Sequence, residues 1–331
     1  MLLDNIYDVN LTTEYCEIWF PAGRTNLYRL VKIYHIILAA VSMLSIIYFL
    51  LKFCSFFQFA ACFVHAADLG IAQTHHLIAS LLAVEPCDIV IPKYLYAILN
   101  VPLIFSMICI ESSTCAMVIE RTIASCLFRC YEKAPKKIGF GLLVLTIFHP
   151  IGVVGYIYFN ETFTKPQMVV LATTPISTSK VNEMFTLNIV FLLISLFHSV
   201  GLYKNNQRRD AVSAQGNMRL SSRYQLSENV TSSRLLWHIS MAQLLIYLFY
   251  AFSMYALRII MPGERDYFWQ SITELFYTPP IYCAVMPLIC LATIRRAQKE
   301  RNLKISSMLQ MRATGSEGWS NYQNMLQKQW A

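Results

Sequence analysis

The sequence predicts an all-α membrane protein, a bundle of seven transmembrane helices with its N-terminus on the extracellular side. Only 14% of the 331 residues are charged, whereas soluble globular domains carry about a quarter, and the mean hydropathy is +0.45. Apolar runs of about 20 residues, the length that crosses a hydrocarbon core, recur along the chain. Lys and Arg are concentrated in alternate gaps between these runs, as expected for a polytopic membrane protein.

Seven segments are long and apolar enough to be spanning helices. The predicted spans are 33–51, 55–82, 97–122, 138–159, 184–203, 236–258 and 271–293. Runs of this length exclude a membrane β-barrel, whose strands alternate apolar and polar residues over about ten positions. We expect a kink at Pro150 in the fourth span, and another in the seventh, which contains Pro279, Pro280 and Pro287.

The spans divide the chain into an extracellular segment over 1–32, the helix bundle over 33–293 and a cytoplasmic tail over 294–331. Residues 1–28 lack the continuous apolar stretch of a signal peptide, so we expect the first span to direct membrane insertion. We see no internal repeat of the kind that many transporters contain, which argues against a transporter or channel.

The distribution of Lys and Arg determines the predicted orientation. With the N-terminus outside, 19 of the 27 basic residues fall in cytoplasmic segments. One local count disagrees, because Arg24, Arg29 and Lys32 precede the first span whereas only Lys52 follows it. The other gaps outnumber this one, and we expect the N-terminus to be extracellular.

Three Asn-x-Thr triplets provide a second test of orientation. Asn10 and Asn160 begin triplets that lie outside on this topology, where glycan is added, and Asn229 begins one that lies inside. We therefore expect glycan on Asn10 and Asn160 and none on Asn229.

Two of the ten cysteines, Cys16 and Cys87, lie in segments predicted to be extracellular. Disulfides form in oxidising compartments, so we expect these two residues to be bridged, with two free thiols as the alternative. The bridge would connect the N-terminal segment to the loop between spans two and three.

Ionisable side chains at bilayer depth are costly and usually face the interior of a bundle. His65 and Asp68 lie three residues apart near the middle of the second span, on one helical face. They either satisfy other polar groups and fix helix packing, or they contact a ligand. We favour a structural or switching network for this pair.

Two further carboxylates are candidate ligand-binding groups. Glu111 lies in the third span and Glu274 near the outer end of the seventh, and a packing role is equally compatible with either position. We expect a ligand to enter a pocket between spans two, three, five, six and seven. Tyr277 and Trp269 are its candidate aromatic walls.

An intramembrane metal-dependent hydrolase is the enzymatic alternative, because several histidines and an aspartate lie within the spans. The sequence contains no H-E-x-x-H motif, and its histidines lie at different depths. We therefore expect no catalytic residues, no metal and no other cofactor.

An acid–base pair, Glu120-Arg121, closes the third span at its predicted cytoplasmic end. Such a pair can act as a latch that opens when helices separate, and a snorkelling arginine is the alternative. The surrounding stretch IERTIASCLFRCYE resembles the I-E-R-x-x-A-x-x-x-x-x-x-Y-E motif of the nematode serpentine chemoreceptors of the Sra superfamily. The matching residues are Ile119, Glu120, Arg121, Ala124, Tyr131 and Glu132.

Five further segments resemble the same superfamily in the same order along the chain. They are HAADL, EPCDIVIP, LSSRYQLSEN, PPIYCAVMPL and YQNMLQKQW, and the last is most similar to the alpha/beta class, Srab. The chain departs from the family at Lys93-Tyr94-Leu95-Tyr96, where another cysteine is often found.

The resemblance implies a G-protein-coupled chemosensory receptor in the plasma membrane of sensory neurons. Its implied partners are an external small-molecule ligand and a heterotrimeric G protein, and no nucleic acid. Tyr131 belongs to the matching motif, and Arg223 and Tyr224 lie in the segment that resembles the third cytoplasmic loop, so these residues are expected to contribute to coupling. That loop, about 204–235, is rich in basic residues that can also bind anionic membrane lipid.

Overall fold

The computed structural model describes residues 9–53, 57–127, 137–163, 167–215, 220–260, 267–309 and 315–330. These residues are almost entirely helical. The helices are α1 (Val9–Gly23), α2 (Asn26–Phe53), α3 (Phe57–Leu82), α4 (Lys93–Cys126), α5 (Lys137–Tyr158), α6 (Pro175–Gln215), α7 (Leu220–Ile260), α8 (Tyr267–Leu275), α9 (Pro279–Leu309) and α10 (Gly315–Trp330), with a 3-10 turn over Pro86–Ile89 between α3 and α4.

Six stretches of the described residues are long and apolar enough to cross a membrane. They are Asn26–Leu51, Lys93–Cys126, Ile138–Tyr158, Ile176–Val212, Ser222–Leu257 and Gln270–Leu303. The remaining expected span, the second along the chain, lies on α3. The 26 residues of this helix extend about 39 Å. The polar residues of α3, among them His65, Asp68 and Gln73, lower its mean hydropathy. Together these helices form an all-α protein with the membrane-length helices expected from the sequence.

The arrangement of side chains on α3 is inverted relative to a soluble helix. Gln58, His65 and Gln73 are buried, whereas Val64 and Ile71 are exposed by 46% and 62%. Polar groups inside and apolar groups outside are expected when the surrounding solvent is lipid, because the polar groups must find partners within the protein.

The buried face of α2 follows a three-and-four spacing that begins before residue 33. Its members are Tyr28, Lys32, His35, Ala39, Ser42, Ile46 and Phe49, each no more than 2% exposed. This face packs against α3, where a Cβ added at Gly70 would lie 3.4 Å from the Cβ of Ala39. Small residues at such a contact allow two helix backbones to approach closely.

The seventh predicted span is interrupted at Pro279 and Pro280, where the structure has a break between two helices and not a kink within one. Helix α8 ends at Leu275 and α9 begins at Pro279. Proline lacks an N–H and disfavours helical geometry in the preceding residue, so two prolines start a helix more readily than they continue one. Pro150 and Pro287, by contrast, lie inside continuous helices.

The chain divides into two compact units, which are described separately below. The first unit comprises residues 1–113, 144–192 and 242–287, and the second comprises 114–143, 193–241 and 288–331.

The N-terminal helix belongs to the first unit and packs on the segments that connect the longer helices. A disulfide bond joins Cys16 of α1 to Cys87 of the 3-10 turn. Trp19, Ile89 and Met168 belong to one buried cluster next to this bond. A Cβ added at Gly23 would lie 2.8 Å from the Ile89 side chain, so a larger residue there would displace the side chains that pack between α1 and the turn.

Candidate functional site

A cavity of about 330 Å³ lies in the first unit, between α6, α7, α8 and the loop that precedes α6. We call it the α6–α8 cavity. Its walls include Val169 and Thr173 of the loop, Phe185 of α6, Tyr250 of α7, Glu274 of α8 and Tyr277. Two of the four predicted ligand-binding residues, Glu274 and Tyr277, therefore line one cavity.

Glu274 is held by two residues of α2. Lys32 donates a hydrogen bond to Oε2 of Glu274, and the two side chains are 0% and 4% exposed. The Nε2 of His35 lies 2.9 Å from the backbone carbonyl oxygen of Glu274. The Nζ of Lys32 also lies 4.3 Å from the ring centroid of Tyr28, within cation–π range.

Lys32 and His35 were not predicted as site residues, because Lys32 lies among the charges that flank the first predicted span. The signal that identifies them is the three-and-four spacing of Tyr28, Lys32, His35 and Ala39, which puts all four on one helical face. Arg29 is likewise held by the protein, since its Nε and Nη2 donate to Ser80 at 3.0 and 2.9 Å.

Tyr277 connects the cavity wall to α3 and α4. Its hydroxyl lies 3.3 Å from Nε2 of His65, and the Nδ1 of His65 lies 3.0 Å from the Ser106 hydroxyl. The Ser106 hydroxyl in turn donates to the Leu103 carbonyl at 2.8 Å. The Tyr277 hydroxyl also donates to the sulfur of Met107 on α4, at 3.2 Å.

Asp68 is half-buried on the same face of α3, and it interacts electrostatically with Tyr277. Its Oδ2 has no hydrogen-bond partner among the described residues. The structure thus brings His65 and Asp68 to the same tyrosine, although only His65 forms a hydrogen bond with it.

Glu111, a third predicted ligand-binding residue, does not line the cavity. Glu111 is 5% exposed on α4 and is not among the residues that line it. It interacts electrostatically with Tyr247, and its Oε1 has no hydrogen-bond partner within the described ranges. The backbone of Trp269 lies in α8, but its side chain lies outside what the structure describes.

In the second unit, the Glu120 carboxylate and the Arg121 guanidinium form a two-point ion pair, and the side chains are 24% and 26% exposed. Both residues are on α4, so this contact is confined to one helix. Of the other predicted coupling residues, Arg223 is half-buried and Tyr224 is exposed. Tyr131 lies outside the described residues.

An ion pair between helices was not predicted. Arg234 of α7 donates to both carboxylate oxygens of Glu300 of α9, at 3.1 and 3.0 Å. The same carboxylate accepts a hydrogen bond of 3.3 Å from Arg296 of α9. The Arg234 guanidinium carbon also lies 5.8 Å from the Tyr203 ring centroid of α6.

The three Asn-x-Thr triplets differ in accessibility. Asn160 is exposed in the turn that follows α5, whereas Asn229 is 6% exposed and donates to the Ala124 carbonyl at 3.3 Å. The Asn10 backbone lies in α1, and its side chain lies outside the described part of the chain.

The Asp88 carboxyl group, in the 3-10 turn between α3 and α4, has a shifted pKa. The pKa of Asp88 lies below its usual range because its carboxylate accepts hydrogen bonds from the backbone N–H groups of Glu85 and Val84, each at 2.9 Å.

Two histidines of the spans are hydrogen bonded to hydroxyl groups. His149 pairs with Ser112 at 2.8 Å, and His198 pairs with Thr122 at 2.7 Å. Among the residues that the structure describes, no group of three or more His, Cys, Asp or Glu side chains is arranged to hold a metal ion.

The helices and their polar interior define a multi-pass membrane protein of the seven-transmembrane class. Comparison with known families identifies it further: the family described as "Serpentine type 7TM GPCR receptor class ab chemoreceptor" matches residues 27–331. The chain belongs to this family of receptors, which confirms the assignment made from the IERTIASCLFRCYE stretch and the five segments in order.

Curated relatives cover nearly the whole chain. Serpentine receptor class beta-17 of Caenorhabditis elegans is 47% identical over 344 aligned residues, covering 99% of this chain and 95% of the relative. Serpentine receptor class beta-12 of the same organism is 24% identical, covering 98% of this chain and 96% of the relative. Serpentine receptor class beta-6 is 21% identical, covering 92% and 94%.

Proposed function

We propose that this chain is a chemosensory receptor of the plasma membrane of sensory neurons. It binds an external small molecule in the α6–α8 cavity and signals to a heterotrimeric G protein. Residues 1–32 form the extracellular segment, 33–293 the helix bundle and 294–331 the cytoplasmic tail. The observation that carries the proposal is the α6–α8 cavity, lined by the Glu274 carboxylate and the Tyr277 ring, in a chain of the serpentine chemoreceptor family.

The residues around the cavity support its assignment as the ligand site. A volume of about 330 Å³ falls at the lower end of the range for small-molecule pockets. Tyr277 touches the cavity and also contacts His65 of α3, so a ligand that displaces the ring acts directly on a buried hydrogen bond. Such differential contact is what allows a ligand to shift a conformational equilibrium.

The disulfide supports the proposed orientation. A bond between Cys16 and Cys87 persists in an oxidising environment, which the extracellular side provides and the cytoplasm does not. The exposed Asn160 lies outside on this topology, and the buried Asn229 lies inside.

Glycosylation tests the orientation directly. The full chain is expressed in cultured cells, and its mobility is compared before and after removal of N-glycan. Asn160→Gln is expected to remove a glycan. Asn229→Gln is expected to leave the glycan-dependent mobility unchanged. Glycan on Asn229 contradicts the proposed orientation.

Coupling is assigned to the ends of α4 and α7. Glu120 and Arg121 close the long apolar part of α4, and Arg223 and Tyr224 precede that of α7. These side chains supply basic and aromatic groups that an acidic partner surface can bind, and Tyr131 is proposed to contribute to the same coupling. Anionic lipid headgroups are a second partner for the same basic residues.

A panel of volatile and water-soluble small molecules tests the function. The full chain is expressed in cultured cells together with a promiscuous G-protein α-subunit and a calcium reporter. A dose-dependent signal that requires the α-subunit supports the proposal. Ligand-driven flux through the purified chain in liposomes, without any G protein, contradicts it and favours a transporter or channel.

A further inference from the structure

Glu274 lines the α6–α8 cavity, and one oxygen of its carboxylate is left without a donor within the described part of the chain. Oε2 accepts from Lys32, whereas Oε1 is buried and has no hydrogen-bond partner among the described residues. The Glu274 side chain is 4% exposed. A buried acceptor without a donor is destabilising, so a ligand that supplies an N–H or O–H at this point gains from satisfying it.

The remaining walls of the α6–α8 cavity add aromatic faces and neutral polar groups. Phe185 and Tyr250 have ring centroids 5.2 Å apart, and Tyr250 and Tyr277 lie 5.8 Å apart with perpendicular rings. Among the described residues that line the cavity, none is Lys, Arg or His, and Glu274 is the one carboxylate. Aromatic faces attract cations.

The positive charge of Lys32 does not cancel the preference of the cavity for a cation. Its ammonium group contacts Oε2 of Glu274 and is not part of the cavity wall. A cation bound at Oε1 lies closer to the carboxylate than to Lys32. The attraction therefore exceeds the repulsion, because Coulomb energy falls with distance. An anion at the same point meets the carboxylate first and is disfavoured.

We propose that the α6–α8 cavity binds a small primary amine, whose protonated amino group pairs with the Glu274 carboxylate and whose apolar body packs against Phe185, Tyr250 and Tyr277. The volume limits the ligand to a small molecule. This inference rests on the proposed function, since it names the chemical class of the external ligand, and it concerns binding alone.

Binding to the purified full chain in lipid nanodiscs tests the ligand class without any G protein. The probes are three molecules of nearly equal size, 2-phenylethylamine, 2-phenylethanol and phenylacetate, and a second set of butylamine, butanol and butyrate. In at least one set the amine is expected to bind tenfold or more tightly than the alcohol, and the carboxylate is expected not to bind. Equal binding of amine and alcohol, preference for the carboxylate, or failure of both amines to bind overturns the proposal.

Two double variants test whether the preference for an amine depends on the Glu274 carboxylate. A double variant, Lys32→Met with Glu274→Gln, removes both buried charges together and should bind amine and alcohol equally. Exchange of the pair, Lys32→Glu with Glu274→Lys, places an ammonium group at the cavity wall and should reverse the preference from amine to carboxylate.

Glu183→Gln is the matched control, since Glu183 is an exposed carboxylate of α6 that does not line the cavity. It should leave the amine preference within twofold of wild type. An amine preference that persists in the Lys32→Met, Glu274→Gln variant overturns the proposal. If the variants fail to fold, the probe selectivity of the wild-type chain decides.

The two proposals fail differently. Amine binding without a G-protein-dependent response contradicts the proposed signalling and leaves the ligand class intact. A G-protein-dependent response to alcohols or acids, with no amine binding, contradicts the ligand class and leaves the receptor function intact.

Discussion

Arg234 of α7 and Glu300 of α9 are 66 positions apart and are joined by two hydrogen bonds of 3.1 and 3.0 Å. The Glu120–Arg121 pair, by contrast, joins neighbours on one helix. Only a contact between helices can hold two helices in one arrangement and release them in another. Arg234–Glu300 is therefore the better candidate for a latch in a receptor that switches between two states.

Glu300→Gln is expected to raise signalling in the absence of ligand about two- to fivefold. The side chains are 21% and 45% exposed, and such partly exposed pairs contribute up to about 1 kcal/mol, equivalent to a factor of about 5 in an equilibrium. The measurement is basal reporter activity, normalised to the amount of receptor at the cell surface.

Arg296→Ala is the control for the latch, because Arg296 contacts the same carboxylate from within α9 and is 75% exposed. It should leave basal signalling unchanged. The exchange of Arg234→Glu with Glu300→Arg should restore wild-type basal activity. A rise of equal size in Arg296→Ala, or no rise in Glu300→Gln, argues against the latch.

Arg121→Ala is expected to preserve surface expression and to abolish ligand-dependent signalling. The side chain is about one-quarter exposed and paired with an adjacent residue, so its loss leaves no deeply buried charge alone. Arg121→Lys keeps the charge but not the two-point contact with a carboxylate, and it should signal weakly. Full signalling by Arg121→Ala, measured with the same reporter, refutes a coupling role.

The positions of the membrane-spanning helices could be predicted from the sequence, because lipid imposes a simple rule on each of them. A span must be apolar for about 20 residues, and α2, α4, α6 and α7 contain the spans expected from their apolar runs. The break before Pro279 was not predicted, since one proline within an apolar run is compatible with a kink and Pro150 remains inside α5. Two consecutive prolines at 279 and 280 are the signal that distinguishes the two cases.

Contacts between residues that are distant in the sequence could not be predicted from one sequence. Lys32 and Glu274 are 242 positions apart, and neither residue identifies the other without tertiary contacts. What the sequence does contain is the helical phase of Lys32, which places it on the buried face with Tyr28 and His35. A cation on that face requires an acid from another element, because a lone buried charge is too costly.

Removing either member of the Lys32–Glu274 pair is expected to destabilise the protein by about 3–5 kcal/mol. The reason is that a buried charge then lacks its partner, at 0% and 4% exposure. Lys32→Met with Glu274→Gln removes both charges and should recover most of that loss. Thermal unfolding of the purified variants in one detergent provides the measurement. Additive losses in the double variant would show that the two side chains do not stabilise each other.

The Asp88 carboxylate should make the turn that follows α3 sensitive to acid. Its pKa is lowered because it accepts hydrogen bonds from the N–H groups of Glu85 and Val84. A carboxyl group with a lower pKa in the folded state contributes stability above its unfolded pKa of about 3.9. That contribution is lost as the pH falls through the folded value.

Asp88→Asn is the matched variant, since it retains the size of the side chain and loses the negative charge. Wild type should unfold at a higher temperature than Asp88→Asn at pH 5 to 7, by a difference that is constant over that range. The difference should shrink below about pH 4, and it should be small because Asp88 is exposed. Thermal unfolding of both proteins across this pH series measures it. A difference that grows as the pH falls would reverse the sign and exclude a carboxylate that is stabilised in the folded turn.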